Sequence, residues 1–178
     1  MTSCEFFGTT LTVPTSLADA IRIRALHQEM EAAADRLFDS AVAGELGRAY
    51  NLSLRMLGDY QSASRAVHKA FSKAREQFSS FDDNVRVSTW MLRFVAEEAL
   101  LVARNRDAAE PHVPVTLGSV GVEQALTSLD PLHRLAVVLQ DVLRLSLPEA
   151  AAIMGVGVGD FRQLANDGTE HLRCITSA

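Results

Sequence analysis

Residues 145–164 read LSLPEAAAIMGVGVGDFRQL: a polar start, a short alanine-rich helix, a glycine-valine turn and the opening of a second helix. This is the outline of a helix-turn-helix, whose second helix lies in the DNA major groove. The side chains on that helix therefore decide what it can touch, and here they are Asp160, Arg162, Gln163 and Asn166. The amides of Gln163 and Asn166 suit adenine edges. Phosphate contacts supply most of the affinity, so a reading helix normally carries several basic or hydroxyl side chains. Only Arg162 is basic early in this helix, and the negative charge of Asp160 would face the DNA backbone. Gly168, in mid-helix, costs about 1 kcal/mol of helix stability relative to Ala.

The signals for the scaffold itself are intact. Ser146 and Glu149 form a capping box around Pro148, which a first turn tolerates. Gly155 suits the left-handed conformation that ends the first helix. Asp160 is a good N-cap for the second. Ala151 and Ala152 allow close approach, with Ile153, Val158 and Phe161 filling the junction.

Other chemistries find little support. His171-x-x-Cys174 has metal-ligand spacing but no second pair, so no metal is expected. The five histidines are scattered, and none stands with a Ser, Cys or paired carboxylates as catalysis requires. Glu97 and Glu98 are adjacent on a helix and point about 100° apart, so they form no acid/base pair. GVGVG at 155–159 follows no strand and is no phosphate loop. The sequence points to no enzyme, no catalytic residue and no cofactor.

The 178 residues, 48% hydrophobic and 22% charged, are enough for one good core or two small ones in a soluble globular protein. No apolar run approaches the roughly 18 residues of a membrane span, and the start, MTSCEFFGTTLTVP, lacks the features of a secretory signal. With Cys4 and Cys174 at opposite ends there is no disulfide framework, and a reduced, cytoplasmic setting is expected. The net charge of −5 conceals a split. Residues 44–106 carry ten Lys/Arg against seven Asp/Glu, whereas residues 122–173 carry four against seven. The first half is thus the better partner for a polyanion, although the helix-turn-helix lies in the second.

The elements that must position these groups are helical. Leu17, Ile21, Leu26, Met30, Ala33, Leu37 and Ala41 recur at helical spacing after a Ser16 cap. AYNLSLRMLGD (49–59) continues the period through Leu52, Met56 and Leu57 and stops at Gly58-Asp59. A third helix spans about Ser62 to Phe78, with Ala63, Val67, Ala70, Phe71 and Ala74 on one stripe. A fourth runs from Val87 to about Asn105, after turn-like FSSFDDN. RDAAEPHVPVTLGSVG (106–121), with Pro111 and Pro114, reads as a linker. Helices resume at Val122–Leu129, Pro131–Leu143, Pro148–Met154 and Asp160–Ile175, and only FFGTTLTV near the start hints at a strand. The expectation is an all-α chain: an N-terminal extension at 1–16, a helical domain at 17–106, a linker at 107–121 and a second helical domain at 122–178.

The order of these segments resembles the extracytoplasmic-function (ECF) class of bacterial RNA polymerase sigma factors over about residues 26–173. RAYNLSLRMLGD, STWMLRF and LDPLHRLAVVLQDVLRLSLPEAAAIMGVGVG carry the resemblance. It implies a region 2-like domain at 17–106, docking on the polymerase clamp and the −10 element, and a region 4-like domain at 122–178, reading the −35 element. Core RNA polymerase and promoter DNA are the implied partners, with an anti-sigma factor as a further one and no membrane insertion.

The resemblance also shows where this chain departs. Family members carry an acidic, amide-rich stretch that meets the clamp. Here Ser64, Arg65, Ala66, Val67, His68 and Lys69 occupy it, which makes Arg65, His68 and Lys69 the candidate polymerase contacts, or alternatively an ordinary solvated face. Like charges against an unchanged partner surface would weaken the encounter. Trp90, Arg93, Arg104 and Arg106 are the candidates for the −10 region. Trp90 fits equally a promoter-melting surface and a core-boundary tryptophan. Glu97 and Glu98 sit where a promoter-facing surface would prefer neutral or basic groups. In the reading helix, Asp160 holds the place of a phosphate-binding Thr. Two functions follow: an ECF-type initiation factor, or a degenerate sigma-like interaction module, such as an anti-sigma-binding mimic, without promoter activity.

Overall fold

The computed structural model describes residues 17–82, 84–109 and 121–176, and their regular structure is helical throughout, as the sequence predicts. The helices are α1 (Leu17–Val42), α2 (Leu46–Leu57), α3 (Tyr60–Gln77), α4 (Val87–Ala109), α5 (Val122–Thr127), α6 (Pro131–Val137), α7 (Leu147–Met154) and α8 (Val158–Thr176). A π-helical turn, Val138–Val142, prolongs α6. The extension at 1–16, with Cys4, Ser16 and FFGTTLTV, lies outside the described residues, as does most of the expected linker. Residues 107–109 of that linker continue α4.

Close contacts divide the chain into two units, meeting between Leu37 and Phe38. In the first, α1 does not bury the stripe its spacing suggests: Ile21, Leu26, Met30 and Leu37 are all more than half exposed. In the second, the last turns of α1 bury Phe38 and Val42, not Ala41.

Within that second unit, the α2–α3 corner follows from three residues. Gly58 takes φ +73°, and its N–H returns to the Leu54 carbonyl at 2.8 Å, ending α2 as Gly readily does. Asp59 then accepts from Ser62 N at 2.8 Å and caps α3. Ala63, Val67, Ala70 and Ala74 line the inner side of α3, small enough to bring it close to α4, which buries Met91, Leu92, Val95, Ala99 and Ala103.

The helix-turn-helix comprises α7 and α8. Glu149 Oε2 accepts from Ser146 N at 3.2 Å and from Ser146 Oγ at 2.6 Å, and Gly155 takes φ +66° at the end of α7. Helix α8 begins at Val158, two residues before the expected start. Asp160 is therefore not the cap but lies in the first turn, where its carboxylate favours the helix dipole. Ile153 and Phe161 fill the junction as expected, whereas Val158 is 41% exposed. Ala150 and Ala151 make the close approach, and Ala152 faces outward.

Phe161, Ala165 and Gly168 form the buried stripe of α8 against α6. A Cβ on Gly168 would come within 2.8 Å of Val137 Cγ2 and 3.1 Å of the His133 carbonyl oxygen. This glycine is what lets the two helices meet, so the propensity argument for Ala at this position is overturned by packing.

Candidate functional site

All four −10 candidates lie on α4, and one face of the helix gathers three of them. Trp90, Arg93, Glu97, Leu101 and Arg104 follow one another at three- and four-residue steps and are at least partly exposed. Trp90 is half-buried at the edge of an aromatic group, with ring centroids 5.1 Å from Phe81 and 5.0 Å from Phe94. Arg93 Nε pairs with Glu97 Oε1 at 3.1 Å. Arg106 lies off this stripe and serves the fold. Its guanidinium donates to the Leu57 carbonyl at 2.9 Å, to Asp59 Oδ2 at 2.6 Å and to Ser62 Oγ, tying the end of α4 to the α2–α3 corner. The bonds from Ser62 N and Arg106 hold the Asp59 carboxyl at a pKa of about 2.

Glu97 and Glu98 part company. Glu97 is exposed on the stripe just described, whereas Glu98 is buried, so it does not face outward as expected. Lys73 pairs with Glu98 Oε1, and Lys69 Nζ lies 3.3 Å from Oε2. Burial pushes the Glu98 carboxyl upward, but the two lysines outweigh it and hold it below the usual range. The pairing likewise raises Lys73. Lys69, expected on a partner-facing surface, is thus drawn to its own α4.

Arg65 and His68 remain exposed on the outer side of α3. Arg65 Nη2 donates to Ser62 Oγ at 3.2 Å and borders an open cleft with Tyr50, Tyr60, Gln61 and Ser64.

On α8, Asp160, Arg162, Gln163 and Asn166 are all exposed. The same helix also exposes Asp167 and Glu170, and Glu170 pairs with Arg173 at 3.7 Å. Two cations against three carboxylates make a poor phosphate-binding surface.

Two connections had no place in the sequence reading. Arg134 of α6, 3% exposed, donates to the carbonyls of Thr127 (2.6 Å), Leu129 (2.8 Å) and, across to α2, Met56 (2.8 Å), with Asp107 of α4 at 3.7 Å. Burial lowers its pKa. Arg86, just before α4, meets Glu149 of α7 at 2.6 Å. Helix α4 also packs directly on α6 and α7, so the two expected domains form one contact unit from Phe38 onward. Among the described residues no cluster of three metal-ligating side chains occurs, and no helix is long and apolar enough to cross a membrane. His171 and Cys174 are exposed.

No family model matches the sequence. The ECF RNA polymerase sigma factor SigW of Bacillus subtilis (strain 168) is 28% identical over 150 residues, 70% of this chain and 80% of SigW. The sigma factor RpoE of Bartonella quintana, solved in complex with the anti-sigma factor NepR, superposes with a TM-score of 0.65 at 19% identity. It covers 79% of this chain and 97% of its own. The chain is similar in sequence to the ECF sigma factor SigW and shares the fold of the solved RpoE. CnrH, solved in complex with the cytosolic domain of CnrY, gives a TM-score of 0.63 at 22% identity, covering 86% of this chain and 96% of its own.

Proposed function

We propose that the protein is a transcription initiation factor of the ECF sigma type, acting in the cytoplasm without a catalytic step of its own. The observation that carries this reading is the extent of the likeness: one sigma factor relative aligns over 150 residues, and the fold agrees over 79% of the chain. The α2–α4 half then binds core RNA polymerase and the −10 region, and the α5–α8 half the −35 region. The exposed stripe of α4, with Trp90, Arg93 and Arg104, offers an aromatic face and two guanidiniums to an opened promoter strand. On α8, Arg162 supplies a phosphate contact and Gln163 and Asn166 supply amides for base edges, while Asp160 limits affinity.

Purified protein mixed with core RNA polymerase from its own organism tests the reading. Stoichiometric co-elution, followed by transcription that starts at defined promoters, is the expected result. Absence of binding at micromolar protein and low salt would overturn it.

A further inference from the structure

We propose that the apolar stripe of α1 between Leu26 and Leu37 pairs, antiparallel, with the same stripe of a second copy of this chain. The inference stands on the helix itself and goes beyond the reading of the protein as an initiation factor.

Every described side chain from Ile21 to Leu37 is exposed, and these residues belong to a contact unit distinct from the one that starts at Phe38. A helix of this length is marginal in water by itself and draws most of its stability from packing an apolar face. Leu26, Met30 and Leu37 supply such a face at 55%, 70% and 65% exposure, and Ala33 completes it. Their four-three-four spacing is that of a seam along which two helices interlock side chains. Ile21 lies off this seam. Between residues 17 and 37 four Asp/Glu stand against three Arg, so the helix lacks the basic flank of one that lies on a lipid surface.

The charges beside the seam select the occupant and its direction. Glu29 and Arg36 flank the seam on the same side, one heptad apart. In an antiparallel pair Leu26 of one copy opposes Leu37 of the other, and Met30 opposes Ala33. That register sets Glu29 of each copy beside Arg36 of the other, so the two-fold axis makes two complementary ion pairs. The contact on the other flank, His27 against Ala34, brings no like charges together. A parallel pair would instead set Glu29 beside Ala34 and Arg22 beside His27, with no attraction in either. Among the described residues Glu29 has no ion-pair partner in its own chain, and Arg36 bonds only to the Ala32 carbonyl, through Nε at 3.0 Å.

Sedimentation of the full chain over micromolar to submillimolar concentrations reads the association. The expected result is a concentration-dependent dimer that Met30→Glu abolishes. Glu29→Arg and Arg36→Glu each bring like charges together twice and should weaken the dimer by about tenfold, whereas the double variant Glu29→Arg, Arg36→Glu restores it. All three positions are exposed in the single chain, so the variants keep the fold, which circular dichroism checks. A chain that stays monomeric throughout, or a dimer indifferent to Met30→Glu, would overturn the proposal. A double variant no tighter than the two single ones would refute the antiparallel register. A monomer whose Leu26, Met30 and Leu37 methyl groups show magnetisation transfer to residues 1–16 would make that segment the occupant and refute the second copy.

Discussion

Lys69 Nζ on α3 lies 3.3 Å from Glu98 Oε2 on α4, a carboxylate 2% exposed that Lys73 also reaches. The basic run on α3 and the acid on α4 are therefore two halves of one feature: an acid placed in the core stripe of α4, answered by two lysines one turn apart on the facing helix. Each lysine keeps its ammonium near solvent while its carboxylate partner lies inside, so the pair spans the dielectric boundary.

Buried ion pairs are often no better than a well-packed apolar side chain, whereas removing one side strands a charge. Glu98→Leu is expected to keep or raise stability, by up to about 2 kcal/mol. The double variant Lys69→Met, Lys73→Met should be less stable than the parent, because it leaves the buried Glu98 carboxylate without its two partners. Urea unfolding measures both. A Glu98→Leu protein less stable than the double lysine variant would refute this account of the triad.

Arg134 connects the halves. Its guanidinium is inside, bound to carbonyls of its own vicinity and to Met56 at the end of α2. Arg134→Met fills much of the volume but leaves three carbonyls without their donor, so a loss of about 3 kcal/mol is expected. The Met56 bond is also part of what couples α2 to α6. Calorimetry should therefore show the single transition of the parent broadening or splitting in two. A sharp single transition at unchanged Tm would show that Arg134 contributes neither.

Gly168 gives a result opposite to helix propensity. Ala gains about 1 kcal/mol at an open helical site, but here its Cβ would meet Val137 Cγ2 at 2.8 Å and the His133 carbonyl at 3.1 Å. The clash involves backbone, which does not rotate away, so Gly168→Ala should lower stability by about 1–3 kcal/mol. A rise in Tm would mean that α6 and α8 separate at little cost.

Much of this was legible in the sequence because it is local. Gly58-Asp59, the Ser146–Glu149 box and Gly155 act through neighbours within a few residues, and each ends or starts a helix where the sequence predicts. The period of α3 likewise identifies Ala63, Val67, Ala70 and Ala74 as buried, while Phe71 of the same stripe is only half-buried. Pairings between distant segments were not legible. Glu98 does fall at a core step, three residues after Val95 and seven after Met91, but only the fold shows that Lys69 and Lys73 face it. Arg134 sits within LHRLAVV as an unremarkable cation, and its Met56 partner lies 78 residues away. For α1 the spacing is helical while Ile21, Leu26, Met30 and Leu37 stay exposed, since periodicity reports a helix and not what covers it. Val158 differs for a similar reason: apolar character at a turn predicts an inward side chain, whereas α8 already starts at Val158 and leaves it exposed.

Asp59 makes acid stability a test of the α2–α3 corner. Its pKa in the folded protein is about 2, held down by the Ser62 amide and the Arg106 guanidinium, against the ordinary value of about 3.9 in the unfolded chain. A depressed carboxyl stabilises the fold fully above its unfolded pKa, and that contribution is lost as pH falls toward the folded one. The relevant window is therefore about pH 4 to pH 2. Asp59→Asn retains a side chain able to cap α3 but cannot ionise. At neutral pH it should be modestly less stable, through the weakened Arg106 contact, and across that window its Tm should fall less steeply than the parent's. Some slope must persist, because Glu98 and Glu149 are depressed as well, Glu149 through its bonds from Ser146. Parallel Tm curves for parent and variant between pH 4 and 2 would show that Asp59 carries no linkage, and that the bonds from Ser62 and Arg106 are not maintained in solution.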